Sequence, residues 1–511
     1  MALALLSGTL LVLSFPKFGH PAFAWIALTP LIVAIARSPE STGSTRRAFL
    51  LGLAAGAVYF AGTLYWLVET MTTFGGLATP LAVVAAGALV AYLALFPAAF
   101  AMIVMRIRRG IGLFAAIALA PAIWVATELG RQYVWDGFPW ELLGYSQITF
   151  LPVAQVASVT GVYGLSGLIA LASAGIASVV VLEGRRRWLL AVIATAAVAI
   201  GALWGYQRLA TADLTATGDT VRVAVLQGNI AQEDKWNPSM ADAITDRYLL
   251  MTRQALARGA TFVLWPESST PFYFEQDLVR GGAIRGLARD SGATLLIGSD
   301  QVEPIRAAQR DESSALYYNA AFLVKPNGEV GAVYRKMHLV PFGEYVPLKY
   351  ILFFAGTIVE AVSDFTPGTV PVLLPVGSHV ASTAICYEVI YGSLMRQFVV
   401  DGSELLTTIT NDAWYGTSSA AFQHWDQAAM RAIENGRYLA RAANTGISGF
   451  VDPYGRVIAK SSLFSEALLV EDLRFLRTRT VYSRIGDLVA WLCLALTGAA
   501  LLASRRGSRS A

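Results

Sequence analysis

The sequence predicts a bundle of about eight membrane-spanning α-helices carrying one α/β globular domain, and three observations lead there. With 55% of its 511 residues hydrophobic and only 14% charged, the chain is too apolar for an ordinary soluble protein. The apolar residues are unevenly spread: dense from Met1 to about Trp204, ordinary from Thr220 to Thr480, and dense again from Leu488 to Ala503. Arginines gather at intervals that match alternate loops of such a bundle.

A helix needs roughly 20 apolar residues to cross the hydrocarbon core, fewer where the bilayer thins or flanking residues snorkel. Residues 2–15, 22–36, 49–68, 81–105, 111–127, 163–182 and 188–204 come close, and none contains Asp, Glu, Lys or Arg. An eighth stretch, 488–503, closes the chain. The first is short enough to resemble the core of a signal peptide, but it lacks a basic leader and an A-x-A cleavage site, so it reads as a span.

Orientation follows from charge. Arg37, Arg46 and Arg47, then Arg106, Arg108 and Arg109, then Arg185, Arg186 and Arg187, and finally Arg505, Arg506 and Arg509 all fall on one side of an eight-span chain. The opposite loops hold little more than Lys17 and Arg131. Basic residues near short loops stay cytoplasmic, so both termini are expected inside and the globular domain outside. The expected division is residues 1–206 for the first seven spans, 220–475 for the extracytoplasmic domain and 484–504 for the last span. Topology thereby accounts for the net charge of +4, leaving no nucleic-acid footprint. Metal-ligand spacings, a P-loop and a dinucleotide fingerprint are all missing from the sequence, so neither a metal nor a cofactor is expected.

From Thr220 the pattern changes to short β-type runs separated by helical stretches. Residues 221–227, 261–265, 294–298, 321–324, 381–386 and 405–410 read as buried strands, and 240–258 and 421–442 as helices. Strands alternating with helices imply an α/β domain. Three strands run into polar tails: Pro266-Glu267-Ser268, Cys386-Tyr387-Glu388 and Asn411-Asp412-Ala413-Trp414. Sites of open α/β sheets gather at such carboxyl ends.

The chain has two cysteines, Cys386 in the domain and Cys493 in the last span, and that topology keeps them from pairing. An unpaired thiol in an oxidising compartment points to a chemical role. With Glu267 after Trp265-Pro266 and with Lys336 in Tyr334-Arg335-Lys336-Met337-His338-Leu339, Cys386 resembles the nitrilase superfamily, whose signatures carry Glu, Lys and Cys in that order. The wider pattern resembles the apolipoprotein N-acyltransferases of Gram-negative-type bacteria. It consists of the eight-span layout, Gln227-Gly228-Asn229, Lys235-Trp236, the run Pro341 to Pro347, Cys386-Tyr387-Glu388, Asn411-Asp412-Ala413-Trp414, and Phe138-Pro139-Trp140 followed by Gly144-Tyr145-Ser146-Gln147.

That resemblance implies an αββα sandwich for the domain and roles for its residues. Cys386 would be the nucleophile, Glu267 the base that takes its proton, and Lys336 the cation facing the tetrahedral oxyanion. Glu344 and Glu388 would be supporting carboxylates that orient Lys336 and the cysteine loop, Trp236 and Tyr387 substrate-contacting aromatics, and Gly144 a functional loop glycine near the bilayer. A Cys–His dyad through His338 or His424 is disfavoured, because the Glu and Lys signatures already supply base and cation. The implied partners are a phospholipid donor such as phosphatidylethanolamine, whose sn-1 acyl chain passes to Cys386 as a thioester, and the α-amine of a diacylglyceryl-cysteine apolipoprotein. The implied setting is the bacterial inner membrane, with the domain in the periplasm. Two rivals are weaker. A membrane-tethered amidohydrolase needs one span rather than eight, and a transporter would be expected to carry charges within its spans.

Overall fold

The computed structural model describes residues 1–41, 43–135, 137–304, 315–341, 343–345 and 365–507. Phe342, Val346 and Pro347 of the Pro341 to Pro347 run, and Arg509 of the last basic cluster, lie outside the described residues.

Five described helices are long and apolar enough to cross a membrane: Thr79–Ile111, Leu113–Tyr133, Ala157–Val181, one beginning at Arg186, and one beginning at Leu488. The pair Ser44–Thr63 and Trp66–Thr73, bent by 51°, makes a sixth if counted as one span. The expected eight therefore reduces to five or six by this measure. The two stretches that fall short are the first two, and proline explains the second. Ala2–Leu13 stops before Pro16, and residues 21–36 divide into the short helices Pro21–Phe23, Ala24–Ala27 and Thr29–Ala36. Pro21 and Pro30 start turns there because proline lacks the N–H that a helix interior requires.

Glycines let the helices approach closely. A Cβ on Gly52 would lie 2.2 Å from the Pro97 carbonyl oxygen, and one on Gly56 2.8 Å from Ala94 Cα, so Ser44–Thr63 packs backbone to backbone against Thr79–Ile111. The charge-free reading of the spans needs one amendment. Leu113–Tyr133 continues past residue 127 and buries Glu128 and Arg131 beside Glu141, at the end of the helix where Gln132 Nε2 donates to Ser393 Oγ of the domain.

Among the described residues the domain holds two six-stranded sheets. The first comprises β1 (Thr220–Gln227), β2 (Phe262–Leu264), β3 (Thr294–Pro304), β4 (Ala315–Val324), β5 (Val330–Arg335) and β12 (Ala467–Arg474), in the order β12-β1-β2-β3-β4-β5. The second comprises β6 (Leu374–Val376), β7 (His379–Ile385), β8 (Leu405–Thr410), β9 (Leu439–Ala443), β10 (Gly449–Val451) and β11 (Val457–Lys460), in the order β11-β10-β9-β8-β7-β6. Strands β1, β2 and β3 are mutually parallel, with Val223 opposite Phe262 and Val263 opposite Leu295. Strands β7, β8 and β9 are likewise parallel, with Thr383 opposite Thr407 and Thr408 opposite Arg441.

Alternation builds the layers. Val223, Val225, Phe262, Leu264 and Leu296 share a core with Ala384, Ile409 and Leu439 of the second sheet. The intervening Ala224, Leu226, Val263, Leu295 and Ile297 pack with Ile244, Tyr248, Met251 and Ile284 of the helices Ala241–Ala257 and Arg280–Ser291. A strand turns successive side chains to opposite faces, so a sheet buried on both sides needs this uninterrupted apolar run. The expected helix 421–442 is corrected: it runs Ala420–Asn435, turns at Gly436 with φ +60°, and Leu439–Ala443 becomes β9. All five β9 residues are buried, so the apolar run extending the helical pattern belongs to a strand enclosed between β8 and β10.

Candidate active site

Three strand ends and one strand interior converge on a buried polar cluster. Glu267 follows β2; its Oε1 accepts from Asn319 Nδ2 at 2.7 Å and from Lys336 Nζ at 3.4 Å, and its Oε2 from the Asn411 backbone N–H at 2.8 Å. The turn carrying it is wedged against β3, since a Cβ on Gly298 would lie 2.1 Å from the Pro266 carbonyl oxygen and 2.8 Å from Glu267 Cα. Lys235 Nζ donates to the Glu267 carbonyl at 2.9 Å.

Lys336 leaves β5 with its backbone N–H held by the Asn319 carbonyl at 2.9 Å, and is 1% exposed. Its Nζ reaches Glu344 Oε1 at 2.8 Å, while Glu344 Oε2 accepts from the Val340 N–H at 2.8 Å. Asn319 Nδ2 also donates to Glu344 Oε1 at 2.9 Å, so a single β4 side chain bridges the two carboxylates on either side of the lysine. Burial works against the ammonium charge, yet Glu344 and Glu267 outweigh it and hold Lys336 above the ordinary lysine range.

Cys386 opens the turn after β7 in the left-handed region at φ +53° and is buried. A non-glycine residue there is strained and persists only where its surroundings enforce it. Glu388 supplies part of that enforcement. Its Oε2 accepts from the Ile385 N–H at 2.7 Å, and its Oε1 from the Met337 N–H at 2.6 Å, the His338 N–H at 3.2 Å and the Tyr334 hydroxyl at 2.8 Å. One carboxylate thus ties the cysteine turn to the lysine segment through backbone, without touching the Lys336 ammonium directly. Burial pushes the Cys386 thiol up to about 12, with Glu267 adding to the effect and Lys336 opposing it. The resting sulfur is therefore a thiol at neutral pH, with a carboxylate and an ammonium within electrostatic reach.

Among the sequence-predicted residues, Glu267, Lys336, Glu344, Cys386 and Glu388 share this cluster. Tyr387 is buried with its hydroxyl 3.2 Å from that of Tyr391, and its ring lies 6.2 Å from Phe138 of the bundle. Trp236 stands at the margin beside Lys235 and is 46% exposed. Gly144 lies apart, in the buried turn Leu143–Gln147, where a Cβ would meet the Val162 carbonyl oxygen at 2.4 Å. Its neighbour Tyr145 extends a hydroxyl to within 3.5 Å of the Ile390 carbonyl, at the far end of the cysteine turn. His338 stacks on Tyr391, and His424 turns Nε2 to the Cys386 carbonyl oxygen, at 3.1 Å.

Sequence reasoning passed over Asn319, Lys235 and Asn411. The last two stood in quoted motifs, whereas Asn319 lies inside β4 with no local signal.

The family model described as "Apolipoprotein N-acyltransferase N-terminal domain" matches residues 7–175, and that described as "Carbon-nitrogen hydrolase" matches residues 222–482. The apolipoprotein N-acyltransferase of Geobacter metallireducens is 40% identical over 98% of this chain and 94% of its own. That of Methylococcus capsulatus is 34% identical over 100% of this chain and 97% of its own. A solved amidase from Nesterenkonia sp. is similar over 51% of this chain and 93% of its own, at 24% identity and a TM-score of 0.37. Identity of 40% and 34% to these two acyltransferases along nearly the whole chain, through bundle and domain alike, makes this chain a member of the apolipoprotein N-acyltransferase family.

Proposed function

We propose that the protein moves a fatty acyl chain from the sn-1 position of a phospholipid, phosphatidylethanolamine among them, to the α-amine of an apolipoprotein's diacylglyceryl-cysteine, by way of a thioester on Cys386. The observation that carries this reading is one buried cluster in which Glu267 and Glu344 share Lys336 and Cys386 lies within their field. Glu267 takes the thiol proton as sulfur attacks the ester carbonyl, and Lys336 faces the developing oxyanion. Collapse expels the lysophospholipid alkoxide, which recovers the proton. The acceptor amine then attacks the thioester, Glu267 takes a proton from its nitrogen, and the C–S bond breaks to release the Cys386 thiolate, which recovers that proton; amide formation drives this half because an amide is the better resonance-stabilised acyl group. A single nucleophile serving two lipid substrates in turn gives ping-pong kinetics.

In this reading residues 1–206 and 484–504 supply eight spans, the two short apolar helices acting as a hairpin, and domain 220–475 stands on the periplasmic face of the inner membrane. Glu344 and Glu388 hold the lysine and cysteine segments, Trp236 and Tyr387 act as substrate-contacting aromatics, and Gly144 is a functional glycine of the loop near the bilayer. The test is incubation of the purified protein with acyl-labelled phospholipid. The expected result is label on Cys386, discharged by a diacylglyceryl peptide and abolished by Cys386→Ala. Label appearing only as free fatty acid would favour an amidohydrolase-like use of water, and capture surviving in Cys386→Ala would end the proposal.

A further inference from the structure

The nucleophile's carbonyl has a partner that the acyl-transfer steps do not use. His424, fully buried on the helix Ala420–Asn435, places Nε2 3.1 Å from the Cys386 carbonyl oxygen. Its Nδ1 lies 3.0 Å from Asp412 Oδ1 and 2.9 Å from Arg441 Nη2. Arg441 Nη2 also donates to Asp412 Oδ2 at 2.9 Å, and the Thr410 hydroxyl donates to Asp412 Oδ1 at 2.8 Å. The Cys386 carbonyl can only accept, so the ring proton sits on Nε2. With the ring neutral, Nδ1 accepts one N–H of Arg441, whose other N–H goes to Asp412, and Asp412 Oδ1 beside Nδ1 is satisfied by the Thr410 hydroxyl rather than by the ring. Burial and Arg441 keep the ring below the usual imidazole range, which agrees with the neutral tautomer.

The residue preceding His424 is equally committed, but in the other direction. Gln423 Oε1 accepts from Trp140 Nε1 at 2.8 Å and Trp66 Nε1 at 3.3 Å, and its Nε2 donates to the Thr63 carbonyl at 3.1 Å and the Pro16 carbonyl at 3.4 Å. All four partners belong to the helical bundle and its loops. The Trp140 ring also lies against His424, with centroids 5.7 Å apart. Adjacent side chains on one helix therefore grip the bundle and the nucleophile turn.

We infer that His424 is a positioning residue: held by Arg441, which Asp412 anchors, it donates to the Cys386 carbonyl and locks the left-handed backbone that aims the thiol, and Gln423 makes that lock depend on the docked bundle. This rests on Cys386 being the nucleophile but not on the identity of the lipid substrates. A small activated ester, p-nitrophenyl butyrate, separates the two questions, because it can acylate Cys386 with release of nitrophenolate and needs no phospholipid site.

The experiment uses the full-length protein in detergent and follows the nitrophenolate burst together with capture from labelled phospholipid. His424→Phe keeps a flat ring but removes the donor. The burst rate constant should fall roughly tenfold, the factor one neutral hydrogen bond can carry, with half-saturation unchanged. His424→Gln, which restores an N–H near the Nε2 position, should recover part of the loss. Gln423→Leu should lower the rate constant in the same manner, again at unchanged half-saturation. A folded His424→Phe protein with the parent burst rate overturns the inference, as does a Gln variant no better than Phe. If His424→Phe does not accumulate, Asp412→Asn decides: a slower burst at unchanged half-saturation supports the lock, and a parental burst overturns it. A parent protein that shows the burst but takes nothing from phospholipid would instead refute the lipid-donor reading and leave the lock to be judged on the burst alone.

Discussion

Among the carboxylates near Cys386, Glu388 has the most one-sided environment: three backbone N–H groups and one tyrosine hydroxyl all point at it. Burial pushes this carboxyl up to about 7, while the donors from Ile385, Tyr334 and Met337 and the charge of Lys336 favour the ionised form. Glu388→Gln tests that environment at constant shape. With the amide oxygen in the place of Oε1, the new NH2 faces the Ile385 N–H, and a buried donor without an acceptor costs about 1–3 kcal/mol. The thermal midpoint should drop, and acyl capture should slow because the cysteine turn and the Met337 segment lose their shared anchor. An unchanged midpoint with parental capture would show that the carboxylate does not organise the turn. Legibility at this scale followed chemistry. Glu267, Lys336 and Cys386 end strands in polar tails and stood out on that account, whereas Asn319, which bridges Glu267 and Glu344, is an amide inside a strand that reads as ordinary β sequence.

Strands β3 and β4 show how an element sets the site. Their antiparallel register puts Asp300 opposite Asn319, and Asp300 Oδ1 accepts from Ser268 Oγ at 2.9 Å, next to Glu267. Burial pushes the Asp300 carboxyl up to about 7, against the Ser268 hydrogen bond and Lys235, which lower it. A carboxyl raised on folding binds its proton more tightly in the native state. Its contribution to stability is full below the unfolded value near 4 and is lost as pH rises through about 7. Asp300→Asn removes that titration while keeping an acceptor for Ser268. The thermal midpoint of the parent, followed from pH 4 to 8, should fall relative to that of the variant across the window between those values. Parallel profiles would show that Asp300 does not couple folding to protons. The elements most legible in the sequence were the parallel strands β1, β2, β7 and β8, whose burial on both faces demands unbroken apolar runs. The helix ending at Asn435 was overextended because β9, also fully buried, prolongs the apolar pattern beyond Gly436. The strands β5, β6, β10, β11 and β12 carry no such signal: β6 and β10 are three residues long, and in β5, β11 and β12 half-exposed positions dilute the periodicity.

At the scale of the molecule, the sequence separates bundle from domain but blurs the seam between them. Hydropathy marks the long helices, while the tight junction uses residues with no hydropathic signature: Gln423 against Trp66 and Trp140, and Glu434 Oε1 accepting the Val162 N–H at 2.8 Å beside Gly161. Gly161, at φ +68°, bends the helix there and lies against Tyr482, just before the last long helix. The seam fixes one face of the bundle as the domain side, and the basic clusters fix the other. Arg106, Arg108 and Arg109 end Thr79–Ile111, and Arg186 and Arg187 begin Arg186–Thr211, whereas the opposite end of that second helix leads through the short turn Asp213–Thr215 into β1. Moving these arginines across a bilayer opposes the bias that retains basic residues near short loops in the cytoplasm, so the domain is expected outside. Single cysteines make the prediction measurable in a background with Cys386 and Cys493 replaced by Ser. A membrane-impermeant maleimide applied to intact spheroplasts should label a cysteine at exposed Leu278 of the domain and spare one at Arg185, which should react only after the membrane is broken. Labelling in the reverse order would place the domain in the cytoplasm and remove its access to lipoproteins on the outer face. Labelling of both positions in intact cells would mean that the basic clusters do not set the orientation at all.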